Sequence, residues 1–168
     1  MNDLYKEILV KPQPSSANAV KKALLIVLDV VLLGFGVLFN PFIALGGLLL
    51  TGLEIWLVFP RFQLEYEYLY VNGSFDIDAI FAKSSRKRKG SYDISALEVM
   101  APTGSAHLDD YMKRQGLKVL DYSSRQPDKK TWTLIYGDNS QQKALLLELP
   151  DEVAQDMRRY APQKVFFQ

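Results

Sequence analysis

Two acidic residues, Asp29 and Glu54, are the residues of this 168-residue chain whose type and placement most suggest chemistry. They are the only ionisable residues between Lys22 and Arg61, in a stretch that is otherwise almost entirely apolar. Holding a carboxylate inside a membrane is costly, so acids in such segments commonly belong to proton or ion pathways. The pair therefore predicts a proton- or cation-responsive site, or a polar contact with another membrane subunit.

A structural role for the same two acids stays open. Two carboxyl groups at close range cannot both ionise cheaply, so one would hold a proton and bond to the other. Such a pair could simply lock two helices together, or the side chains could extend towards the nearer interface. Two helices alone cannot surround a path for a transported ion or solute. A transport function would therefore require several copies in a transporter or channel-like assembly.

The stretch around the acids predicts a helical membrane hairpin. Ala23–Phe39 and Phe42–Phe59 are apolar blocks within the range of about 17–25 residues that suits a transmembrane helix. Asn40 and Pro41 separate them, and proline is favoured at the first position of a helix. We therefore predict one helix that ends at Phe39 and a second that begins at Pro41 and ends near Pro60.

The helical period places both acids on faces that also carry small residues. The spacing i, i+4, i+7 groups Asp29, Leu33 and Gly36 on the first helix, and Gly47, Thr51 and Glu54 on the second. Small residues allow membrane helices to approach closely. The expected packing brings Gly36 near Gly47 and Asp29 near Glu54.

Basic residues flank only one side of the predicted hairpin. Before the first helix lie Lys6, Lys11, Lys21 and Lys22, and after the second lie Arg61 and the run Lys83–Lys89. Cytoplasmic flanks of membrane helices carry such an excess of lysine and arginine. We predict a multi-pass protein of the cell membrane with both termini in the cytoplasm. A cleaved signal peptide is disfavoured, because a second apolar run follows at once without a cleavage site between them.

The composition argues against an enzyme. The chain has no cysteine, which excludes a disulfide framework, a thiol nucleophile and a cysteine metal site. His107 is the only histidine, and with Asp109 and Asp110 it falls short of the geometry that zinc requires. Neither a phosphate-binding glycine loop nor a serine nucleophile motif is present. We predict no catalytic residues, no metal and no cofactor.

The residues after Arg61 change from a helical to a strand-like pattern. Glu65 and Glu67 alternate with tyrosines, and Asn72-Gly73 is the strongest short hairpin signal. Six strands are predicted, at Phe62–Val71, Ser74–Ala82, Ser91–Met100, Leu117–Ser123, Thr131–Tyr136 and Lys143–Leu149. A helix from about Asp151 to Tyr160 follows, and Tyr66, Tyr68, Tyr70 and Phe75 are expected to pack within the sheet.

The fold class predicted is an α+β membrane protein, in which a two-helix transmembrane hairpin precedes a small antiparallel β domain with a C-terminal helix. The predicted divisions are an N-terminal tail and linker at 1–18, the hairpin at 19–60, and a cytoplasmic β-rich domain at 61–168. Within the tail, Met1–Lys11 is expected to form one or two helical turns.

This order of features resembles an uncharacterised family of small two-span membrane proteins of Gram-positive bacteria. The most specific pieces are the sequence EYEY at Glu65–Tyr68 and NGSFDIDAIFAK at Asn72–Lys83. The likeness extends over about Lys21–Tyr160. The soluble part also resembles bacterial pleckstrin-homology-like (PH-like) domains, which implies a bent antiparallel sheet closed by a C-terminal helix and a seventh strand. The resemblance implies architecture and localisation but no activity.

The basic run predicts a second candidate site. Lys83, Arg86, Lys87, Arg88 and Lys89 lie in a segment, Lys83–Gly90, that is expected to be a polar loop. Basic clusters beside a membrane attract anionic head groups by about 1 kcal/mol per residue. A solvated loop that only reinforces the topology is the alternative. Nucleic acid is disfavoured, because acidic residues flank the run and no aromatic residue for base stacking interrupts it.

Our leading hypothesis is a non-enzymatic binding or scaffold protein, anchored in the membrane by its hairpin. It would present a PH-like domain at the inner leaflet to membrane lipids with anionic head groups, to a membrane or cytoplasmic protein, or to a second copy of itself. The alternative is a small subunit of a transporter or channel-like assembly that uses Asp29 and Glu54.

Overall fold

The computed structural model describes residues 4–14, 16–137 and 141–168. Within these residues the chain forms two compact units. One contains the helical hairpin, Gln13–Leu64, together with the short segment Phe81–Ser85. The other combines the N-terminal strand with Glu65–Ile80 and the described residues from Arg86 onwards. The sheet unit is therefore assembled from segments that the hairpin separates along the sequence.

The hairpin consists of two helices joined at Asn40. Helix α1 spans Ser16–Phe39 and α2 spans Pro41–Leu53. A π-helical turn, Glu54–Val58, and a 3-10 turn, Phe59–Phe62, extend α2. The Phe42 N–H donates to the Asn40 side-chain oxygen at 3.0 Å, which caps the helix. The predicted boundary at Asn40 and Pro41 is confirmed.

Both hairpin helices are long and apolar enough to cross a membrane. The candidate spans are Ser16–Phe39 and Pro41–Phe62, and only 11% of each apolar window is buried. The core helix of a soluble protein would be largely buried, and these two are not.

The prediction of helical turns at the N-terminus is wrong, because Tyr5–Val10 forms strand β1. It pairs antiparallel with β2, Leu64–Val71, in a register that places Tyr5 opposite Val71 and Val10 opposite Tyr66. The short N-terminal segment gains its structure from this distant partner strand.

The first sheet has the order β1-β2-β3-β4. Strand β3 spans Ser74–Phe81 and β4 spans Ser85–Asp93. Asn72 and Gly73 form the predicted turn, with φ angles of 45° and 93°. The prediction of a polar loop over Lys83–Gly90 is wrong, because most of that segment is edge strand β4. Ile94–Ala96 then forms a 3-10 turn, which divides the single strand predicted over Ser91–Met100.

The second sheet has the order β5-β7-β8-β6. Its strands are β5, Leu97–Pro102; β6, Lys118–Asp121; β7, Trp132–Tyr136; and β8, Lys143–Leu147. Strand β6 runs parallel to β8, whereas β7 is antiparallel to both of its neighbours. The described residues thus contain eight strands rather than the predicted six, with one parallel pair. The short helix α3 spans Asp109–Met112.

Helix α4, Asp151–Tyr160, closes the sheet unit as predicted. Its Val153, Ala154 and Met157 are fully buried in the main core cluster. Tyr68, Tyr70 and Phe75 are also fully buried there, and Tyr66 is partly buried against the same cluster, so the packing expected of this aromatic stripe is confirmed.

The residues after α4 cover the open edge of β5. The Met100 N–H donates to the Lys164 carbonyl at 2.7 Å, and the Phe166 N–H donates to the Met100 carbonyl at 2.8 Å. Val165 between them is 1% exposed. Covering an edge in this way removes a site at which another strand could add.

Candidate functional site

The two acids of the hairpin lie on its inward faces. Asp29 is 7% exposed and Glu54 is 6% exposed. Leu33 contacts Gly47 across the two helices, and both acids lie on the same side of that contact, Asp29 one turn from Leu33 and Glu54 two turns from Gly47. Asp29 Oδ1 and Glu54 Oε2 are both buried, and neither accepts a hydrogen bond from any described residue. The hairpin therefore contains two buried carboxyl groups, each with an oxygen that lacks a donor.

Small residues set the approach of the two helices. Gly36 and Gly47 are the buried glycines of α1 and α2. The nearest neighbour of Gly36 is the backbone of Ala44, one turn before the position expected from the sequence, and Gly47 lies against Leu33. The Thr51 hydroxyl donates to the Gly47 carbonyl at 3.0 Å, so it bonds along its own helix.

Four of the five basic residues, Arg86 to Lys89, lie on β4, and the two arginines form ion pairs with acids of the neighbouring strands. Arg86 approaches Glu67 with an Nη1–Oε2 distance of 2.6 Å, and its Nη1 lies 3.4 Å from Asp78. Arg88 forms an ion pair with Asp76. These partners belong to β2 and β3, so the pairs form a ladder across the outer surface of the first sheet.

A shallow groove follows this ladder. Its volume is about 330 Å³, and it is lined by Glu67, Leu69, Asp76, Asp78, Arg86 and Arg88. Since each arginine already faces a carboxylate, the groove has no excess positive charge with which to hold a phosphate. The ladder is better suited to fixing the edge strand than to binding an anion.

The acids of the ladder respond differently to their surroundings. Burial raises the pKa of Glu67; the Arg86 guanidinium opposes the rise, and a hydrogen bond with the Glu7 carboxyl adds to it. A hydrogen bond from the Ser91 hydroxyl holds the pKa of Asp76 below its usual value, and Arg88 contributes in the same direction. The folded protein therefore favours the ionised form of Asp76. It disfavours the ionised form of Glu67, although Arg86 partly offsets this effect.

The lysines of the basic run remain available to contact a ligand. Lys83, Lys87 and Lys89 are exposed, and none forms an ion pair with another described residue. Side chains alternate along a strand, so Lys87 and Lys89 point away from the face that the two arginines share with the acids. The predicted five-residue basic site thus divides into two paired arginines and three free lysines.

His107 contributes to packing. Its ring stacks on Phe166 with a centroid distance of 4.0 Å and an interplanar angle of 13°. Across residues 4–14, 16–137 and 141–168, no group of three or more histidine or acidic side chains is placed to hold a metal ion.

The family model described as bacterial PH-like domain (DUF6106) matches residues 2–167. The chain belongs to this family. The match agrees with antiparallel sheets closed by a C-terminal helix, and it confirms the bacterial PH-like part of the predicted resemblance. No curated protein and no solved structure shows significant similarity to the chain.

In this member of the DUF6106 family, the two candidate sites belong largely to different units of the chain. The PH-like unit carries the basic strand β4, and the hairpin carrying the acid pair is inserted between its strands β1 and β2. Sequence patterns identified the residues of both sites. The pairing of Arg86 and Arg88 was missed because their acidic partners lie on other strands.

Proposed function

We propose that this PH-like protein is a non-enzymatic membrane-anchored binding module, whose lysines on and before β4 contact anionic lipid at the cytoplasmic face of the cell membrane. The hairpin is the anchor, both chain termini are cytoplasmic, and the ligand is the phosphate-bearing head group of a neighbouring lipid.

The observation that carries the proposal is the exposed apolar surface of the hairpin. Large side chains are open to solvent along both helices, including Leu38 at 78%, Phe42 at 80% and Trp56 at 76%. Apolar surface exposed to water costs about 25 cal/mol per Å² relative to an apolar environment. A bilayer provides that environment for helices of 24 and 22 residues.

The start of the basic run is connected to the end of the hairpin. Phe81–Ser85 belongs to the same compact unit as the helices, and the Ala82 N–H donates to the Gln63 carbonyl at 2.8 Å. Gln63 directly follows the last turn of the second candidate span. Lys83 is therefore held close to the point where the chain would leave the membrane.

The remaining lysines follow Lys83 within a few residues of the chain. An extended strand rises about 3.3 Å per residue, so Lys87 and Lys89 lie at most about 13 and 20 Å along the chain from Lys83. A basic residue near an anionic surface contributes about 1 kcal/mol. Contacts this weak would not recruit a soluble protein, but a tethered domain meets the lipid at high effective concentration.

Reconstitution of the full-length chain tests the lipid contact. The protein has no cysteine, so Ser85→Cys gives a single site for a fluorescent label on β4. Discs of phosphatidylcholine, with or without phosphatidylglycerol, would contain a lipid that bears a quencher on its head group. We expect stronger quenching in the anionic discs, and loss of that increase in Lys83→Gln/Lys87→Gln/Lys89→Gln.

The matched control is Lys113→Gln/Lys118→Gln/Lys129→Gln, which removes three exposed lysines elsewhere in the sheet unit. It should quench like the parent protein. Quenching that ignores phosphatidylglycerol, or that persists in the first triple variant, would overturn the lipid contact. Crosslinking in native membranes that recovers one defined protein through β4 would instead favour a protein ligand.

A further inference from the structure

We propose that Asp29 and Glu54 form a proton-binding site inside the hairpin, in which one proton shared between the two carboxyl groups joins α1 to α2. This inference rests on the membrane insertion proposed above, because a bilayer excludes the water that would otherwise solvate both acids. The ligand is a proton, and the site is complete within a single chain.

Among the described residues, each hairpin acid has an oxygen that lacks a hydrogen-bond donor. One oxygen of each carboxyl group is buried without a partner among the described residues, although both side chains are more than nine-tenths buried. The hydroxyl closest along α2, that of Thr51, donates to the Gly47 carbonyl instead. A buried carboxylate without a donor is strongly disfavoured, whereas a proton on one acid provides the donor for the other.

The nearest cations along the two helices lie about two turns from the acids. The other lysines and arginines described in this unit are Lys21 and Lys22 at the start of α1, Arg61 after the second span, and Lys83 in the segment Phe81–Ser85. The Lys22 ammonium lies 5.7 Å from the centre of the Phe59 ring, about two turns from Asp29. The residues around both acids in the sequence are otherwise apolar or uncharged.

Two charged carboxylates at this site would repel each other, and the repulsion grows as the local dielectric constant falls. Binding of one proton replaces that repulsion with a hydrogen bond between the helices. Loss of the proton should then loosen the hairpin near its cytoplasmic end. Closer to the turn, the contact of Gly36 with Ala44 involves no ionisable group and should remain.

Infrared titration of the full-length protein in phosphatidylcholine discs measures the proton directly. We expect an absorption band of a protonated carboxyl group at neutral pH that disappears at alkaline pH. Asp29→Asn/Glu54→Gln should lose this band. Glu67→Gln/Asp156→Asn, which removes two buried acids of the sheet unit, should retain it. An identical carboxyl band in the parent and in Asp29→Asn/Glu54→Gln at every pH would overturn the proposal.

A second measurement follows the helices themselves. Leu25 and Val58 are partly buried about one turn from Asp29 and Glu54, so in a Trp56→Phe background a fluorophore on Val58→Cys should be quenched by Leu25→Trp while the hairpin is closed. Quenching should fall at alkaline pH with the acids present and stay constant when both are replaced by amides. Constant quenching in both backgrounds would contradict the proton-linked contact.

Extraction with alkaline carbonate separates this inference from the proposed anchor. A chain that stays with the membrane but lacks the carboxyl band is anchored without the proton site. A chain that carbonate releases is not anchored by the hairpin, and the proposed function then fails independently of the proton measurement.

Discussion

Gly36 on α1 lies so close to Ala44 on α2 that a β-carbon added to Gly36 would overlap the Ala44 backbone. Both residues belong to the inward faces of the hairpin. Backbone on both sides of the contact leaves no flexible side chain that could move away. The closest approach of the two helices therefore depends on the absence of a side chain at residue 36.

Gly36→Ala should destabilise the hairpin by about 1–3 kcal/mol, the usual cost of overpacking a tight contact. Gly34→Ala is the matched control, because an added β-carbon there meets nothing within 4 Å. Energy transfer between labels at the two ends of the hairpin, followed during denaturation in detergent, gives the comparison. Equal stability of the two variants would show that the approach at Ala44 is not tight.

A second prediction concerns Tyr70 and Asp156, which join the first sheet to α4. The Tyr70 hydroxyl donates to Asp156 Oδ2 at 2.7 Å, and Asp156 is only 7% exposed. Tyr70→Phe removes this donor, so a buried carboxylate oxygen loses its hydrogen bond. The free energy of unfolding should fall by about 1–3 kcal/mol. Urea unfolding, read from Trp132 in a Trp56→Phe background, measures the loss.

Tyr5→Phe is the control for that substitution, since Tyr5 is 62% exposed. It should change the stability by less than about 0.5 kcal/mol. A double-mutant cycle of Tyr70→Phe with Asp156→Asn isolates the pair, and a coupling energy near zero would mean that the hydrogen bond contributes nothing.

A third prediction concerns the pH dependence contributed by Asp93. Hydrogen bonds from the Ser95 hydroxyl, the Ser74 hydroxyl and the Ser95 N–H hold the pKa of Asp93 below its ordinary value of 3.8. The folded state thus favours the ionised acid more than the unfolded state does. The resulting stability is present above the unfolded pKa and is lost as the pH falls through the folded pKa.

Asp93→Ala should therefore cost about 1 kcal/mol at neutral pH, as for loss of a capping side chain. The difference from the parent should shrink as the pH falls below about 4. Asp128→Ala, at an exposed loop residue, should show no such trend. A constant difference down to about pH 2 would show that the ionised form of Asp93 is not the stabilising one.

The sequence predicts elements whose signal is local. Asn40 and Pro41 separate two apolar runs and so mark the turn between two helices. Asn72-Gly73 provides the positive φ angles that a tight turn needs. The inward position of each acid could also be predicted in this way, because a helical period of 3.6 residues groups Asp29 and Glu54 with the small residues of each face. None of these inferences requires knowledge of a distant partner.

Elements stabilised by distant partners were missed. β1 looks like a short mixed segment until it pairs with β2, and β4 lacks apolar alternation because it is an edge strand rich in lysine, a composition that protects edges from aggregation. Arg86 pairs with Glu67 on β2 and Asp78 on β3, so those partners could be found only once the sheet was assembled. The parallel pairing of β6 with β8 likewise depends on topology.

The most consequential error of sequence reasoning was the treatment of the N-terminal segment as a tail, because β1 belongs to the sheet unit. Val10 is 5% exposed, and it pairs with Tyr66 across the two strands. A fragment that begins at Arg61 lacks β1 and leaves β2 as an unpaired edge. We expect this fragment to be unstable and prone to association.

The final prediction is that a chain in which Gln13–Gln63 is replaced by a short Gly-Ser linker folds as a soluble PH-like domain. The linker would join β1 to β2 as an ordinary antiparallel hairpin, since Val10 already lies opposite Tyr66. Cooperative urea unfolding and monomeric behaviour in gel filtration would show that it folds. Val10→Asp in this chain should abolish folding, because it places an unpaired charge in the core. If the fragment from Arg61 proved as stable as the linked chain, β1 would not be part of the folded unit.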